Sequence, residues 1–306
     1  MAERYDGHGG DSPQWWPSRY GADDERGSGN ELNPELTLAA LQIPKEGRTI
    51  ELAQTLFEGA AAIPPRTWKQ LIAAHGVLEE RLMGSEPGGD DLSYFEEHVF
   101  TSYHIGCHLD ALGHVGIKDR FYNGRHYKDI YEPNGLKELS IENVQPWVTR
   151  GVCLDIAAVA EADRLDEGFA ITVDHLEEAQ REQGIEIKAG DVVLLHTGWG
   201  GLWSTDVKRY EAAEPGCSWD AAHYLTDKRV SLVGADNWGF EVLPFEREER
   251  PFAVHQHLLA ETGTHIVENL TTSELVAAGA AEFLFLLTVQ KTKGSSAGAA
   301  SPVAVI

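Results

Sequence analysis

The alternation of apolar and polar positions predicts a regular succession of strands and helices. Residues 49–53 (T-I-E-L-A) alternate as a half-buried strand does, whereas 68–82 is predicted to be a helix. Further along, short apolar runs alternate with amphipathic segments. The predicted strands are 151–157, 192–198, 230–236, 266–269 and 282–289. The predicted helices are 173–183, 219–227, 251–261 with Pro251 at its first position, and a brief one capped by Ser273 and ending at Gly279.

Strands that alternate with helices indicate an α/β protein with a central mixed sheet flanked by helices. No internal repeat and no Gly/Ser-rich linker divides the chain, so we expect a single domain over 46–306. Residues 1–45 begin with little periodicity but contain Trp15, Trp16 and Tyr20. Disordered tails are usually poor in tryptophan. We therefore expect an irregular N-terminal arm that packs on the core through its aromatic residues.

The charge balance narrows the classes of partner. Asp and Glu number 49 against 25 Lys and Arg, a formal net charge of −24. Such a surface repels phosphate backbones and anionic lipid, which disfavours nucleic acid and membranes as partners. The N-terminus lacks the features of a signal peptide, and the apolar runs are shorter than the roughly 18 residues of a membrane span. We expect a cytoplasmic protein with a small-molecule substrate.

The main candidate for chemistry is the segment H-I-G-C-H-L-D-A-L-G-H, which contains His104, His108, Asp110 and His114. Imidazole and carboxylate groups suit zinc, manganese or iron, and three protein ligands leave room for a water. His108 and Asp110 share a face of an extended segment, and Gly106 lets the chain turn so that His104 can join them. His114 is either a fourth ligand or, as we prefer, a general acid/base.

Cys107 lies between the predicted ligands and could itself bind a metal. In an extended segment its side chain points away from those of its neighbours, so we expect it to pack rather than to ligate. The other cysteines, Cys153 and Cys217, are far away in sequence. Together the three give no disulfide framework and no zinc ribbon.

Two further groups of residues are weaker candidates. A polar stretch downstream contains His255, Gln256, His257, His265 and Glu268. His255 or Gln256 could supply another metal ligand, and Glu268 could act as a base or orient a ligand. A solvated helix face explains this pattern equally well. Trp199 and Trp238 follow predicted strands and could line an aromatic substrate pocket or be ordinary core. No G-x-S-x-G nucleophile elbow is present, which disfavours a serine hydrolase.

These residues resemble the metal-dependent cyclase family, which includes kynurenine formamidase, isatin hydrolase and trans-dienelactone hydrolase. The family signature H-x-G-T-H-x-D-x-x-x-H is matched from His104 to His114, with Cys107 in place of the usual threonine. Similarity extends over nearly the whole chain. It includes D-D-E with Asn30 near the N-terminus, F-Y-N-G, D-V-V-L-L-H-T-G-W, G-A-D-N-W-G-F-E-V-L-P, I-V-E-N-L and the C-terminal G-A-A-S-P-V.

The resemblance implies a swivelling β/β/α-like fold, usually oligomeric, and a metal-activated water that attacks an amide, ester or lactone carbonyl. It implies His104, His108 and Asp110 as metal ligands and His114 as proton shuttle. In formamidase-like members a His and a Glu bind a second ion, a role that His255 or His257 with Glu268 could fill. In isatin-hydrolase-like members a Gln holds a single ion, a role open to Gln256.

We therefore expect a homo-oligomeric hydrolase of small cyclic or aromatic amides, esters or lactones. Its cofactor would be one divalent ion, zinc or manganese, with a second ion possible. Two alternatives stay open. The same site could drive dehydration or ring closure of a polyketide or sugar-like acid, or the chain could be a metal-stabilised binding protein without turnover.

Overall fold

The computed structural model describes residues 14–73 and 95–306. Its strands are β1 Thr49–Glu51, β2 Trp68–Ala73, β3 Glu96–Thr101, β4 His108–Asp110, β5 Tyr131–Glu132, β6 Gly135–Leu136, β7 Trp147–Asp155, β8 Ala170–Ile171, β9 Val192–His196, β10 Gly216–Cys217, β11 Leu232–Ala235, β12 His265–Glu268, β13 Glu282–Leu287, β14 Ala297–Ala299 and β15 Val303–Val305.

The helices lie mainly between the strands of the second half of the chain. The α-helices are Pro34–Ala40, Tyr127–Ile130, Ile156–Val159, Val173–Gln183, Val207–Ala212, Trp219–Asp227, Ala253–His255 and Ser273–Ala277. Short 3₁₀ helices span Gly27–Glu31, Tyr122–Gly124, Ile141–Asn143 and Trp199–Leu202, and a π-helix spans Gln256–Thr262.

The largest sheet has nine strands in the order β1-β15-β13-β7-β9-β11-β12-β4-β14. Strands β7, β9, β11 and β12 are parallel to one another. The flanking strands pair antiparallel, including β4 with both β12 and β14. The sheet is therefore mixed, and helices pack against it. This confirms the α/β class predicted from the alternation of strands and helices.

Both faces of the sheet are buried, which explains why the central strands are continuous apolar runs. Along β9, Val193 and Leu195 pack on one face, together with residues of the helices Val173–Gln183 and Trp219–Asp227. Val192 and Leu194 pack on the opposite face with Leu275 of the helix Ser273–Ala277. The sheet that contains β12 is thus packed on both faces, which fixes the positions of the side chains at the C-terminal end of this strand.

Most of the predicted elements are confirmed. The helices Val173–Gln183 and Trp219–Asp227 have the predicted bounds. The first is followed by Gly184, whose φ of 65° is the left-handed conformation that suits glycine after a helix. The last predicted helix also forms, but Ser273 is its first residue rather than its cap.

The helix predicted over 68–82 is wrong over its first part. Residues Trp68–Ala73 form β2, which pairs antiparallel with β3. A pairing partner distant in sequence decides the conformation here, and local periodicity does not reveal it. The rest of that prediction, 74–82, lies outside the described residues. Within the N-terminal arm, the structure places a short helix at Pro34–Ala40, which begins where the Asn33 side chain accepts the N–H of Leu36.

Among the described residues, none of the helices combines the length and apolar character needed to cross a membrane.

Candidate metal centre

The predicted ligand segment folds as a turn followed by strand β4. Gly106 has a φ of 64°, a left-handed conformation that glycine adopts without strain. A Cβ atom at this position would also lie 2.6 Å from Cδ2 of Leu56. This turn brings His104 back towards β4, where His108 and Asp110 project from the same face because side chains alternate along a strand.

His104, His108 and Asp110 form a first group whose potential ligand atoms all lie within 4.8 Å of one another. Nδ1 of His104 is 3.1 Å from Oδ1 of Asp110, and Nε2 of His108 is 3.5 Å from the same oxygen. His108 and Asp110 are completely buried. The structure thus brings together the three residues that the sequence motif predicts as ligands.

Asp110, His255 and Glu268 form a second group of the same compactness. Glu268, the last residue of β12, lies directly opposite His108 in the β4–β12 register. Its Oε1 atom is 3.1 Å from Nε2 of His255, and its Oε2 atom is 3.2 Å from Nε2 of His108. Nε2 of His255 is 4.0 Å from Oδ2 of Asp110. Oδ1 of Asp110 therefore faces His104 and His108, and its Oδ2 faces His255.

The unsatisfied atoms of this cluster fit a bound cation. Nε2 of His108 and both carboxylate oxygens of Asp110 are buried without a hydrogen-bond partner in the described chain. Their short mutual contacts lack the alignment of hydrogen bonds. Buried polar atoms without partners are costly, and a bound ion is one established way of satisfying them. Neutral imidazole and carboxylate are donors that suit a divalent transition metal.

The electrostatics of the cluster also favour positive charge. Burial acts to lower the pKa of His108, but the carboxylates of Asp110 and Glu268 outweigh it and raise this pKa to about 10. Burial acts to raise the pKa of Asp110, but His114, His104 and His108 hold it well below its ordinary value. The buried carboxylates therefore stay ionised and require a compensating cation, either protons on the imidazoles or a metal ion.

The distal nitrogen of each histidine in the two groups has an acceptor within reach. Nδ1 of His108 is 2.8 Å from the carbonyl oxygen of Gly106, and Nε2 of His104 is 3.3 Å from Oγ of Ser296. Nδ1 of His255 is 2.6 Å from Oε1 of Glu241. If each distal nitrogen carries the proton, the other nitrogen presents its lone pair to the cluster, as a metal ligand must.

His114 lies beside the first group rather than within it. Its ring centroid is 4.0 Å from that of His104, and its Nε2 atom is 3.8 Å from Oδ2 of Asp110. Its side chain is 23% exposed, the most accessible of the imidazoles around the cluster. Burial and the neighbouring imidazoles outweigh Asp110 and lower the pKa of His114 to about 3. The ring is therefore neutral at neutral pH in the metal-free protein.

The structure does not bring Gln256 to the cluster. Oε1 of Gln256 accepts a hydrogen bond from Nε of Arg250, and Nε2 donates to the carbonyl of Pro251. His255, one residue earlier on the helix, occupies the position instead. His257 is likewise elsewhere, with Thr226 and Glu261 as partners. Cys107 packs in the apolar cluster on the opposite face of the sheet, as expected from its place in an extended segment.

The two predicted pocket tryptophans differ in their surroundings. Trp199 has no exposed surface, and its Nε1–H donates to the carbonyl of Tyr210, so it is core. Trp238 is partly buried against the same aromatic cluster. Its backbone N–H donates to Oε2 of Glu214, a fully buried carboxyl group. Oε1 of Glu214 has no hydrogen-bond partner among the described residues. Burial and the nearby Glu268 raise the pKa of Glu214 well above its ordinary value, while Trp238 and His255 oppose this.

Sequence reasoning gave no role to Glu241, Ser296 or Glu214. Glu241 stands in the motif G-A-D-N-W-G-F-E, which carries part of the family resemblance. That motif could have singled out Glu241, but it does not indicate which side chain the carboxylate contacts. Ser296 lies in a small-residue segment near the C-terminus with no chemical pattern of its own.

Comparisons with known proteins identify a family and several solved structures that this chain resembles. The Cyclase family matches residues 35–242. A crystal structure described as a novel cyclase is 25% identical, with a TM-score of 0.82, covering 94% of this chain and 96% of that one. Isatin hydrolase A from Ralstonia solanacearum is 20% identical, with a TM-score of 0.62, covering 89% of this chain and 97% of its own.

A structure described as a potential metal-dependent hydrolase with cyclase activity is 19% identical. Its TM-score is 0.53, and the match covers 84% of this chain and 98% of that one. None of the curated proteins matches this chain in a sequence search. The family match nevertheless spans more than half of the sequence and includes His104, His108, Asp110 and His114. The chain belongs to the cyclase family.

Proposed function

We propose that this protein is a metal-dependent hydrolase that opens or cleaves a small cyclic or aromatic amide, ester or lactone. The observation that carries the proposal is the buried cluster in which Asp110 joins His104 and His108 on one side and His255 and Glu268 on the other. The names of two structural relatives, isatin hydrolase and metal-dependent hydrolase, support the same class of reaction.

His104, His108 and Asp110 would hold one divalent ion, and Asp110, His255 and Glu268 would hold a second. Zinc and manganese both suit these donors. A bound ion of this kind polarises a carbonyl oxygen and lowers the pKa of a coordinated water towards neutrality. Glu268 then acts as a ligand rather than as a free base, because both of its oxygens face imidazole nitrogens.

His114 is the proposed proton carrier. It adjoins the first group without belonging to it. It is also partly accessible, whereas His108 and His255 are buried. An imidazole in this position would be placed to relay a proton between the attacking water and the leaving group. Trp238 is the better candidate than Trp199 for the pocket wall, because Trp199 has no free surface.

The test combines metal analysis with a substrate screen. Metal-free protein is reloaded with Zn²⁺ or Mn²⁺ and assayed against lactones, cyclic imides and N-formyl aromatics in water enriched in oxygen-18. We expect turnover that depends on the metal and places one solvent oxygen in the product. Turnover that loses oxygen from the substrate would show a dehydratase or cyclase instead, and metal binding without any turnover would show a binding protein.

A matched pair of variants assigns the effect to the cluster. His108→Gln removes a buried ligand, whereas His126→Gln removes an imidazole that pairs with Asp119, outside both ligand groups. We expect the first variant to lose the ion of the first group and the activity, and the second variant to keep the metal content and activity of the wild type. Equal activity in the two variants would contradict the proposed site.

A further inference from the structure

The three imidazoles of the ligand groups differ in the chemistry of the acceptors behind them. A backbone carbonyl stands behind His108 and a hydroxyl behind His104, and both are neutral. Behind His255 stands a carboxylate, Glu241, at 2.6 Å, the shortest of the three contacts. Hydrogen bonds to charged acceptors are roughly twice as strong as those between neutral groups.

Glu241 is held in place from several directions. It is only 4% exposed. Its backbone forms a parallel bridge with Cys217, and Phe240 just before it has a φ of 57°, a left-handed conformation that is uncommon for an aromatic residue. Oε1 of Glu241 also accepts the backbone N–H of His255 at 3.0 Å. One carboxylate oxygen therefore fixes both the start of the His255 backbone and the orientation of its ring.

The other end of the ring faces the second ligand group. Nε2 of His255 points to Oε1 of Glu268 at 3.1 Å and to Oδ2 of Asp110 at 4.0 Å. The order carboxylate, imidazole, ligand group is that of a carboxylate–histidine–metal triad. In such triads the outer carboxylate fixes the tautomer and makes the ligating nitrogen a better donor.

We propose that Glu241 is the positioning residue for the second ion and sets the affinity of the Asp110, His255 and Glu268 group selectively. This rests on the proposed function, because it requires that group to bind a metal. The first group does not use Glu241 and keeps its own neutral acceptors at Gly106 and Ser296. The two ions therefore respond differently to a change at Glu241.

The test is a metal titration of metal-free protein with Mn²⁺ or Zn²⁺, with bound metal measured by equilibrium dialysis. Glu241→Gln keeps an acceptor oxygen but removes the charge. We expect it to leave the metal affinity of the first group unchanged. The affinity of the second group should fall roughly 10- to 100-fold, the usual range when the hydrogen-bond partner of a ligand is altered. His255→Gln, which removes the ligand itself, should abolish the second ion.

Glu31→Gln is the matched control. Glu31 is also a buried carboxylate, but it pairs with Arg229 and lies outside both ligand groups. It should leave both affinities as in the wild type. A purely structural role of Glu241 would instead weaken both ions equally and lower the unfolding free energy of the metal-free protein, which would overturn the proposal.

The outcomes separate this inference from the function on which it rests. If wild type binds two ions and Glu241→Gln binds both as tightly, the positioning role is wrong and the hydrolase proposal stands. If wild type binds one ion that His255→Gln does not affect, the second-ion site is wrong. Binding of no ion at all would overturn the proposed function itself.

A measurement on the wild type keeps the inference testable if Glu241→Gln fails to fold. Nitrogen-15 NMR of the imidazoles should show that His255 carries its proton on Nδ1, with a downfield, exchange-protected resonance. The signal is assigned by its absence in His255→Gln. A His255 ring protonated only at Nε2 would contradict the role of Glu241.

Discussion

Nε2 of His108 lies 3.2 Å from Oε2 of Glu268, across the antiparallel pair β4–β12 in which the two residues are direct partners. Directly opposed residues on one face of such a pair are held at a nearly constant separation by the ladder. The sheet therefore fixes His108 of the first ligand group beside Glu268 of the second.

Asp110→Asn should remove metal from both groups, because Asp110 belongs to each of them. The amide keeps the shape of the side chain but loses the charge and half of the acceptor capacity. We expect less than one ion per chain and a loss of hydrolytic activity of about 100-fold or more. Metal content and activity are measured together, with Asp119→Asn, a residue half exposed at the surface, as control. Full metal content in Asp110→Asn would contradict the shared-ligand arrangement.

The metal-free protein should lose stability as pH rises from about 6.5 to about 10. His108 has a pKa of about 10 in the folded chain and an ordinary value of 6.5, so its protonated form stabilises the native state. That contribution is complete below pH 6.5 and is lost as pH approaches 10. The free energy of unfolding measured in urea should be about 3 kcal/mol lower at pH 9.5 than at pH 7.

His108→Gln serves as the reference for this pH effect, since it lacks the titrating ring. Its unfolding free energy should vary less between the two pH values than that of the wild type. Equal pH dependence in both proteins would show that His108 is not the group responsible. Bound metal should remove the effect in the wild type, because the ion replaces the proton on the buried ring.

His114→Gln should reduce kcat while leaving the metal content unchanged. The side chain adjoins the first ligand group but is not part of it. Loss of a general acid/base typically costs 10²- to 10⁴-fold in rate. Steady-state kinetics and metal analysis of the same preparation check this. A fall in metal content parallel to the fall in kcat would make His114 a ligand instead.

Trp199→Ala and Trp238→Ala should act on different properties. Trp199 is completely buried, so its truncation leaves a cavity and should cost about 3–5 kcal/mol of unfolding free energy. Trp238 is only partly buried, so its truncation should cost less stability and act mainly on KM. Thermal unfolding measures the loss of stability in each variant, and steady-state kinetics measures the change in KM. Equal destabilisation with unchanged KM would remove Trp238 from the proposed pocket.

The sequence was most informative where the determinants are local. The helix Val173–Gln183 has the predicted bounds because its cap at Thr172 and its stop at Gly184 are adjacent in sequence. The grouping of His104, His108 and Asp110 follows from spacing and one glycine. By contrast, the local pattern of β2 predicts a helix, and this is wrong because the conformation depends on its strand partner β3, which lies about 30 positions away in sequence.

The second ligand group shows where local reasoning stops. His255 and Gln256 are consecutive, and composition does not say which one faces the cluster. The choice depends on how the helix is rotated, and here Ala253–His255 passes into the π-helix Gln256–Thr262. The side chain of Gln256 lies away from the cluster, where its Oε1 accepts a hydrogen bond from Nε of Arg250. Glu241 reaches His255 from 14 positions away, a contact that only the packed sheet and helix create.

The backbone carbonyl of Asp110 is itself held from afar, by Nδ1 of His265, 155 positions along the chain. The ligands thus come from two segments that meet only after β4 has paired with β12. An ion bound here would act as a cross-link that closes a very long loop, and the unfolded chain offers no equivalent site. Metal availability would then govern how long the folded chain survives heat or proteolysis, so chelation should speed unfolding as well as stop catalysis.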